Sequence, residues 1–482
     1  MSSTSPEIQK ALDLYIKAAE NNDSSALFNL GLIYSKGQGI EKDKVKAAEY
    51  YEKAAKLGNV RAQFNLALMY FKGDGIPVDK QKAAEYYQLA ADQNNPKAQS
   101  NLANMYSSGD GVDQNYEKAV ELYEKAILQN DSDAQLNLGL MYEKAEGVPK
   151  DIARAAELYS KAANNGNLKA LFNLAYLYHK GDPESLPKNN ELAIKLYTEA
   201  ASKGLAQAQY NLGVIYSKGD DNVPVDKEKA VQYFQKAASQ GDPDAQLNLG
   251  SMYFKGEGVK AADKEKAVRF FKKAAKQDNP KALFNLGVIY SKGDGVTKDA
   301  NEAAKYYQKA ADLDFTPAKF NLGVLYYRGD ENFPSNMRKA VELFTEVGEN
   351  NSKALFNLAV MYQKGQGVSK NNQKALECYQ KSAELNNSDA YLNLGIIYEE
   401  VKNDKDKAFE CYQRAAELGN IKAYINLGHM YQSGEGCGGV NIQKAKQCFE
   451  KAADQGNPQA QLSLGLIYQG NGLLYEEDSE SL

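Results

Sequence analysis

The stretch ALFNLGLIYSKGQG from Ala26 to Gly39 returns almost unchanged as ALFNLGVIYSKGDG from Ala282 to Gly295. Aligning on its asparagine shows that the echo belongs to a period running through the chain. Asn29, Asn65, Asn101, Asn137, Asn173, Asn211, Asn248, Asn285, Asn321, Asn357, Asn393 and Asn426 recur at intervals of 33 to 38 residues, and Ser463 takes the thirteenth place. A unit this short cannot bury its own apolar faces, so neighbouring units must stack into one continuous core. At 482 residues the chain also exceeds what one ordinary hydrophobic core supports. No stretch richer in Pro, Gly or Ser interrupts the pattern, so residues 1–475 read as a single array.

Each unit reads as two helices. In the first, Ala26, Leu30, Ile33 and Tyr34 share one face of a 3.6-residue period. Lys36-Gly37 closes it, with Gly free to adopt the left-handed conformation and Lys favourably placed at the negative end of the helix dipole. A Gly-rich turn follows, and Asp43 is the expected N-cap of the second helix, KAAEYYEKAA, which Gly58 ends. The array opens with an unpaired helix of the second type at 7–20 and closes with one of the first type at 459–469. That makes about 12–13 two-helix repeats of roughly 36 residues. The acidic C-terminal tail, 476–482, is expected to fray. Tyrosine, present 33 times with no Trp, mostly recurs at two fixed repeat positions and reads as packing.

The pattern A-x-x-N-L-G-x-[IM]-Y-x-K-G-x-G-[IV], followed by K-A-x-x-Y-Y-x-K-A-A-x-x-G, resembles the Sel-1-like repeat, a relative of the tetratricopeptide repeat. The resemblance implies an all-α fold, a right-handed superhelical α-solenoid with a concave inner surface. It also implies an adaptor or scaffold that assembles other proteins. Some secreted relatives carry a disulfide in each repeat and have been described as penicillin-binding or β-lactamase-like. This chain has four cysteines, Cys378, Cys411, Cys437 and Cys448, without that pairing, so the activity is not carried over.

Chemistry is hard to place on this sequence. His179 and His429 are the only histidines, and neither belongs to a metal-binding motif. No phosphate-binding loop or nucleophile elbow occurs, so no catalytic residue, cofactor or metal is expected. The net charge of −5, with both signs interspersed, argues against nucleic acid and hence against a helical-repeat RNA binder. An amide or β-lactam hydrolase is the rival reading from another class. No apolar run approaches a membrane span and the N-terminus has no leader pattern, so a cytoplasmic protein without direct membrane insertion is expected.

Partners are therefore expected to be other proteins or peptide segments. On a helical wheel Phe28, Leu32, Lys36 and Asn29 fall at about 200°, 240°, 280° and 300°, a flank beside the core group. In the related tetratricopeptide superhelices the matching Asn lines the groove and holds peptide backbone, for which an amide supplies both donor and acceptor. Alternatively it bonds the neighbouring repeat and sets the stacking angle. A ladder of Lys36, Lys72, Lys144, Lys180, Lys218, Lys255, Lys292 and Lys364, with Arg328, accompanies it. These cations attract acidic residues of a bound segment or simply match the helix dipole. Variable positions should set specificity, and Ser100, Asn104 and Ser107 are expected to form a polar notch in the third unit.

Overall fold

The structure is a computed structural model that describes residues 6–477, with side chains from 9 to 470. Twenty-six α-helices, joined mostly by short turns, account for most of these residues, and no strand occurs among them. The chain divides into two compact units, Met1–Ala245 and Gln246–Leu482. Each is a run of antiparallel helix hairpins stacked in sequence order, an α-solenoid. The first helix of each repeat is termed the A helix and the second the B helix.

Capping explains where the helices start and stop. The A helix Ser24–Lys36 is capped by Asp23, whose carboxylate accepts the Ala26 N–H, and ends at Gly37 with φ of 70°. The B helix Lys44–Lys56 starts at Asp43, which accepts the Lys46 N–H. Gly58, with φ of 84°, turns the chain back toward the next A helix. These left-handed positions favour glycine because a Cβ there meets the backbone.

The buried face of the A helix is Ala26, Leu27, Leu30 and Gly31. Ile33 and Tyr34, placed in the core by periodicity, are only half-buried. The departure of Ile33 is local to this first repeat, since its counterparts Met69, Met105, Met141, Ile215 and Ile289 are buried. The B helix contributes Ala47, Tyr51 and Ala54, all essentially inaccessible. A Cβ on Gly31 would lie 2.6 Å from the Tyr51 ring, so the missing side chain makes room for the tyrosine.

Successive hairpins are tied at three levels. At the turn, Gly75 lies so close to the preceding B helix that a Cβ would fall 2.3 Å from Lys44 Cβ. Beside it, Lys44 pairs with Asp74, and the same link returns as Lys80 Nζ–Asp110 Oδ1 at 2.6 Å and Lys264 Nζ–Asp294 Oδ1 at 2.5 Å. In the middle, Gln63, only 3% exposed, donates to the Ala55 carbonyl at 3.2 Å and accepts from Gln93 Nε2 at 2.8 Å. At the other end, Asn59 caps its own helix and donates to the Ser24 carbonyl of the preceding one at 3.3 Å.

The departures from the repeat are orderly. After Gly181, Gly219 and Gly329 the longer turns close on isolated antiparallel bridges, Asp182 with Leu186, Asp220 with Val223 and Asp330 with Phe333. At Glu399 and Glu400, where the Gly turn is missing, the A helix ends in a π-helical segment, Ile397–Val401. The last helix runs Pro458–Glu477, beyond the 459–469 read from periodicity. Of the acidic tail, residues 478–482 lie outside the described residues.

Candidate protein-binding face

The recurrent asparagines sit half-buried beside the aromatic ring of the preceding B helix. Asn101 Nδ2 donates to the Tyr87 hydroxyl at 3.2 Å, Asn211 to Tyr197 at 3.3 Å and Asn321 to Tyr307 at 3.4 Å. Asn65, Asn173 and Asn426 stand in the same relation to Tyr51, Tyr159 and Tyr412. Each tyrosine is almost fully enclosed, and a buried hydroxyl needs a partner. Some of these hydroxyls also reach the A helix of their own hairpin. Tyr159 donates to Glu143 at 2.6 Å and Tyr412 to Glu399 at 2.7 Å. One phenol thus ties three helices. Burial pushes the Tyr87, Tyr123 and Tyr197 hydroxyls up to about 12, against the opposing bonds to Asn101, to Ser107 and Asn137, and to Asn211.

The tie is not universal. Phe271 and Phe344 replace the tyrosine before Asn285 and Asn357, and neither amide makes a hydrogen bond among the described residues. Asn393 turns back onto the Asp389 carbonyl of its own helix at 2.9 Å. Asn137 reaches Asn104 Oδ1 at 2.8 Å. Asn29 and Asn248 are likewise half-buried on their A helices.

The predicted flank positions of adjacent A helices do come together. In the second unit Phe320, Asn321, Val324, Arg328, Phe356 and Asn357 line an open cleft of about 580 Å³, which Tyr327 and Lys353 also border. In the first unit Leu68, Lys72, Asn101 and Asn104 line a smaller one of about 280 Å³. The Lys ladder is exposed throughout. Lys144 and Lys255 approach Glu146 and Glu257 at 3.9 Å, whereas Lys36, Lys72, Lys180, Lys218, Lys292, Lys364 and Arg328 form no ion pair among the described residues.

The expected notch in the third unit needs correction. Ser100 is 1% exposed and its hydroxyl has no partner among the described residues, because this position packs on the B helix, as Phe64 does against Tyr87. Asn104 does face the cleft, but its carbonyl oxygen is already engaged by Tyr123 at 2.5 Å and Asn137. Ser107 Oγ donates to the main-chain carbonyl of Asn104 at 3.0 Å. The cysteines are free thiols. Burial raises Cys378, Cys411 and Cys448, and Cys437 donates to the Met430 carbonyl at 3.2 Å. Among the described residues no cluster suits a metal ion.

Periodicity overlooks two further ladders. Gln63, Gln99, Gln135, Gln209 and Gln246 are buried polar residues where other repeats carry Leu27, Leu171 or Leu283. A glutamine alternating with leucine at one repeat position is the signal that marks them. The A-helix caps Asn59, Asn95, Asn167 and Asn420 follow the helix-closing residues and are readable as caps from their position.

A family model described as Sel1 repeat matches thirteen segments, from 3–23 and 24–59 through to 388–420 and 421–457. The solved structure of c5321, a protective antigen of uropathogenic Escherichia coli displaying an SLR fold, is 28% identical, with a TM-score of 0.65. The alignment covers 95% of this chain and 97% of that one. A Sel1 repeat protein from Oxalobacter formigenes is also 28% identical, with a TM-score of 0.53, over 65% of this chain and 90% of that one. No curated protein matches. Among the described residues no helix is long and apolar enough to cross a membrane.

Proposed function

Because this chain belongs to the Sel1-repeat family, we propose that it is a non-catalytic scaffold or adaptor that holds extended segments of partner proteins along its A-helix face. The observation that carries this reading is the cleft of about 580 Å³, where two neighbouring A helices present Asn321, Asn357 and Arg328 between the rings of Phe320 and Phe356. Amides serve the main chain of an extended segment, the rings take its apolar side chains, and the exposed cations favour acidic ones. The tyrosine ties hold Asn321 and several other amides of the ladder in place, which lowers the ordering cost of binding. The family's usual role in protein interaction supports the reading. Work in the cytoplasm accords with the free thiols.

The test is affinity capture from the native cell extract with the wild type and with a variant carrying Asn285→Ala, Asn321→Ala and Asn357→Ala. Specific proteins that bind the wild type and leave the folded variant support the groove. An identical captured set would place the working surface elsewhere.

A further inference from the structure

The B helices give a second surface, and one of them is unlike the rest. In most repeats the residue two before the buried B-helix ring is acidic, as in Glu49, Glu85, Glu121, Glu157 and Glu377, whereas the helix Lys264–Ala275 carries Arg269 there, a cation it shares at this place with Lys195 and Lys305. One residue after that ring, where others have Glu52, Gln88, Glu124, Gln235 or Gln308, it alone among these carries a cation, Lys272. With the repeat's usual Lys266 and Lys273, and with Lys276 just past the helix end, five cations occupy one arc of about 120°. Arg269, Lys272, Lys273 and Lys276 are exposed.

The rings beneath arrange these cations. Lys266 Nζ stands 4.1 Å from the centroid of Tyr253, Lys272 5.5 Å from Tyr290 and Lys273 5.6 Å from Phe270. Tyr253 stacks on Phe270 at 5.7 Å, and Tyr290 on Tyr306 at 5.5 Å. Lysines lying on rings keep their ammonium donors outward and lose less freedom when an anion arrives. The acidic groups nearby are few. Glu265 reaches Arg269 only at 3.9 Å, and the next B helix offers Glu302, already paired with Lys305 at 2.5 Å. Asp263 caps the helix and Asp294 is paired with Lys264 at 2.5 Å.

We propose that this outer face, centred on Arg269 and Lys272, docks an acidic segment, rich in Asp or Glu, of a partner protein. The helix is about 18 Å long at 1.5 Å per residue, enough for about five residues of extended chain. Asp263, Glu265, Asp294 and Glu302 fringe the basic arc, so a phosphate backbone continuing past it meets like charge. The rings already stack on one another and carry lysines, so their faces are not free for nucleobases. Both features favour a short acidic peptide over nucleic acid. This surface is separate from the A-helix face and does not depend on it.

The experiment is fluorescence anisotropy with a short labelled peptide of alternating Glu and Gly, at low and at physiological ionic strength. The double variant Arg269→Glu with Lys272→Gln restores the residue types of the other repeats and should fold normally, as checked by its circular dichroism and unfolding midpoint. The expected result is salt-sensitive binding by the wild type, weakened about ten-fold or more in the variant, and unchanged in Asn357→Ala. Equal affinity in wild type and double variant overturns the proposal. So does tighter binding of a single-stranded RNA oligonucleotide or an anionic vesicle than of the peptide. Loss of binding in Asn357→Ala alone also overturns it, by moving the acidic segment to the A-helix face.

Discussion

Asn101 Nδ2 lies 3.2 Å from the Tyr87 hydroxyl, joining the A helix of one hairpin to the B helix of the hairpin before it. The bond spans the seam along which a solenoid opens, so it bears on stacking rather than on either helix alone. Tyr87→Phe keeps the ring and removes only the acceptor. The expected cost is about 0.5–1.5 kcal/mol, read by urea unfolding, with hydrogen exchange faster on both sides of that seam. No change on either measure would show that the bond is incidental.

Two glycines with similar close contacts should respond differently. Gly75 has φ of 83°, and an added Cβ falls 2.3 Å from Lys44 Cβ and 2.8 Å from its backbone carbonyl carbon. Strain and clash act together, so Gly75→Ala should cost about 2 kcal/mol or more. Gly31 is helical and meets only the Tyr51 ring, at 2.6 Å. Other repeats hold Ala67 or Ala103 at that place with Tyr87 or Tyr123 still buried, so the ring can yield. Gly31→Ala should change stability by less than about 1 kcal/mol, helped by helix propensity. Equal losses at the two sites would refute this account of the turn.

Stability should fall in alkali. Burial pushes Tyr87, Tyr123, Tyr197 and Tyr379 up to about 12 from 10.0. A folded value above the unfolded one gives stability that is complete below pH 10 and lost as pH rises through about 12. Unfolding midpoints measured across this range should drop for the wild type and drop less steeply when Tyr87 and Tyr123 are both Phe. Parallel profiles would mean that the buried phenols do not govern the loss.

Asp220 gives the opposite sign. Burial alone would raise its carboxyl, but Lys188 at 3.0 Å, the Asp221 N–H at 2.8 Å and His179 Nε2 at 2.6 Å together hold it well below the usual carboxylate range. Its contribution is present above about 3.8 and lost as pH falls through the folded value. Asp220→Asn should therefore destabilise the protein at neutral pH by about 1–3 kcal/mol. The gap between variant and wild type should narrow as pH drops below about 4. A gap independent of pH would point to packing instead of charge.

Much of this architecture is legible in the sequence because its determinants are local. The left-handed glycines, the Asp43-type caps and the 36-residue period each lie within a few residues of what they control. What escapes lies between repeats. A wheel drawn for one helix rightly assigns the Ile33 position to the core, buried as Met69, Met105 and Ile289 elsewhere, but puts Asn29 on an open flank, since it cannot show that a second B helix covers the other side. Ser100 is misplaced for the same reason, falling on the groove side of the wheel although it packs inward. The tyrosine preceding most of these Asn by fourteen residues is visible, as at Tyr87 and Asn101, but only the stacked geometry gives that spacing a meaning.

The Phe-for-Tyr replacement offers the most direct test of the adaptor reading, because it separates architecture from recognition. Asn357 follows Phe344 and has no bond among the described residues, whereas Asn321 is tied to Tyr307 at 3.4 Å, and both line one cleft. The measurement is paired: the unfolding midpoint and the yield of partner crosslinked to a photoreactive residue at Val324, for Asn357→Ala and Asn321→Ala. The account predicts that Asn357→Ala keeps the wild-type midpoint and loses the crosslink, while Asn321→Ala lowers both. A full crosslink yield in Asn357→Ala, or no partner crosslinked at Val324 in the wild type, would contradict it.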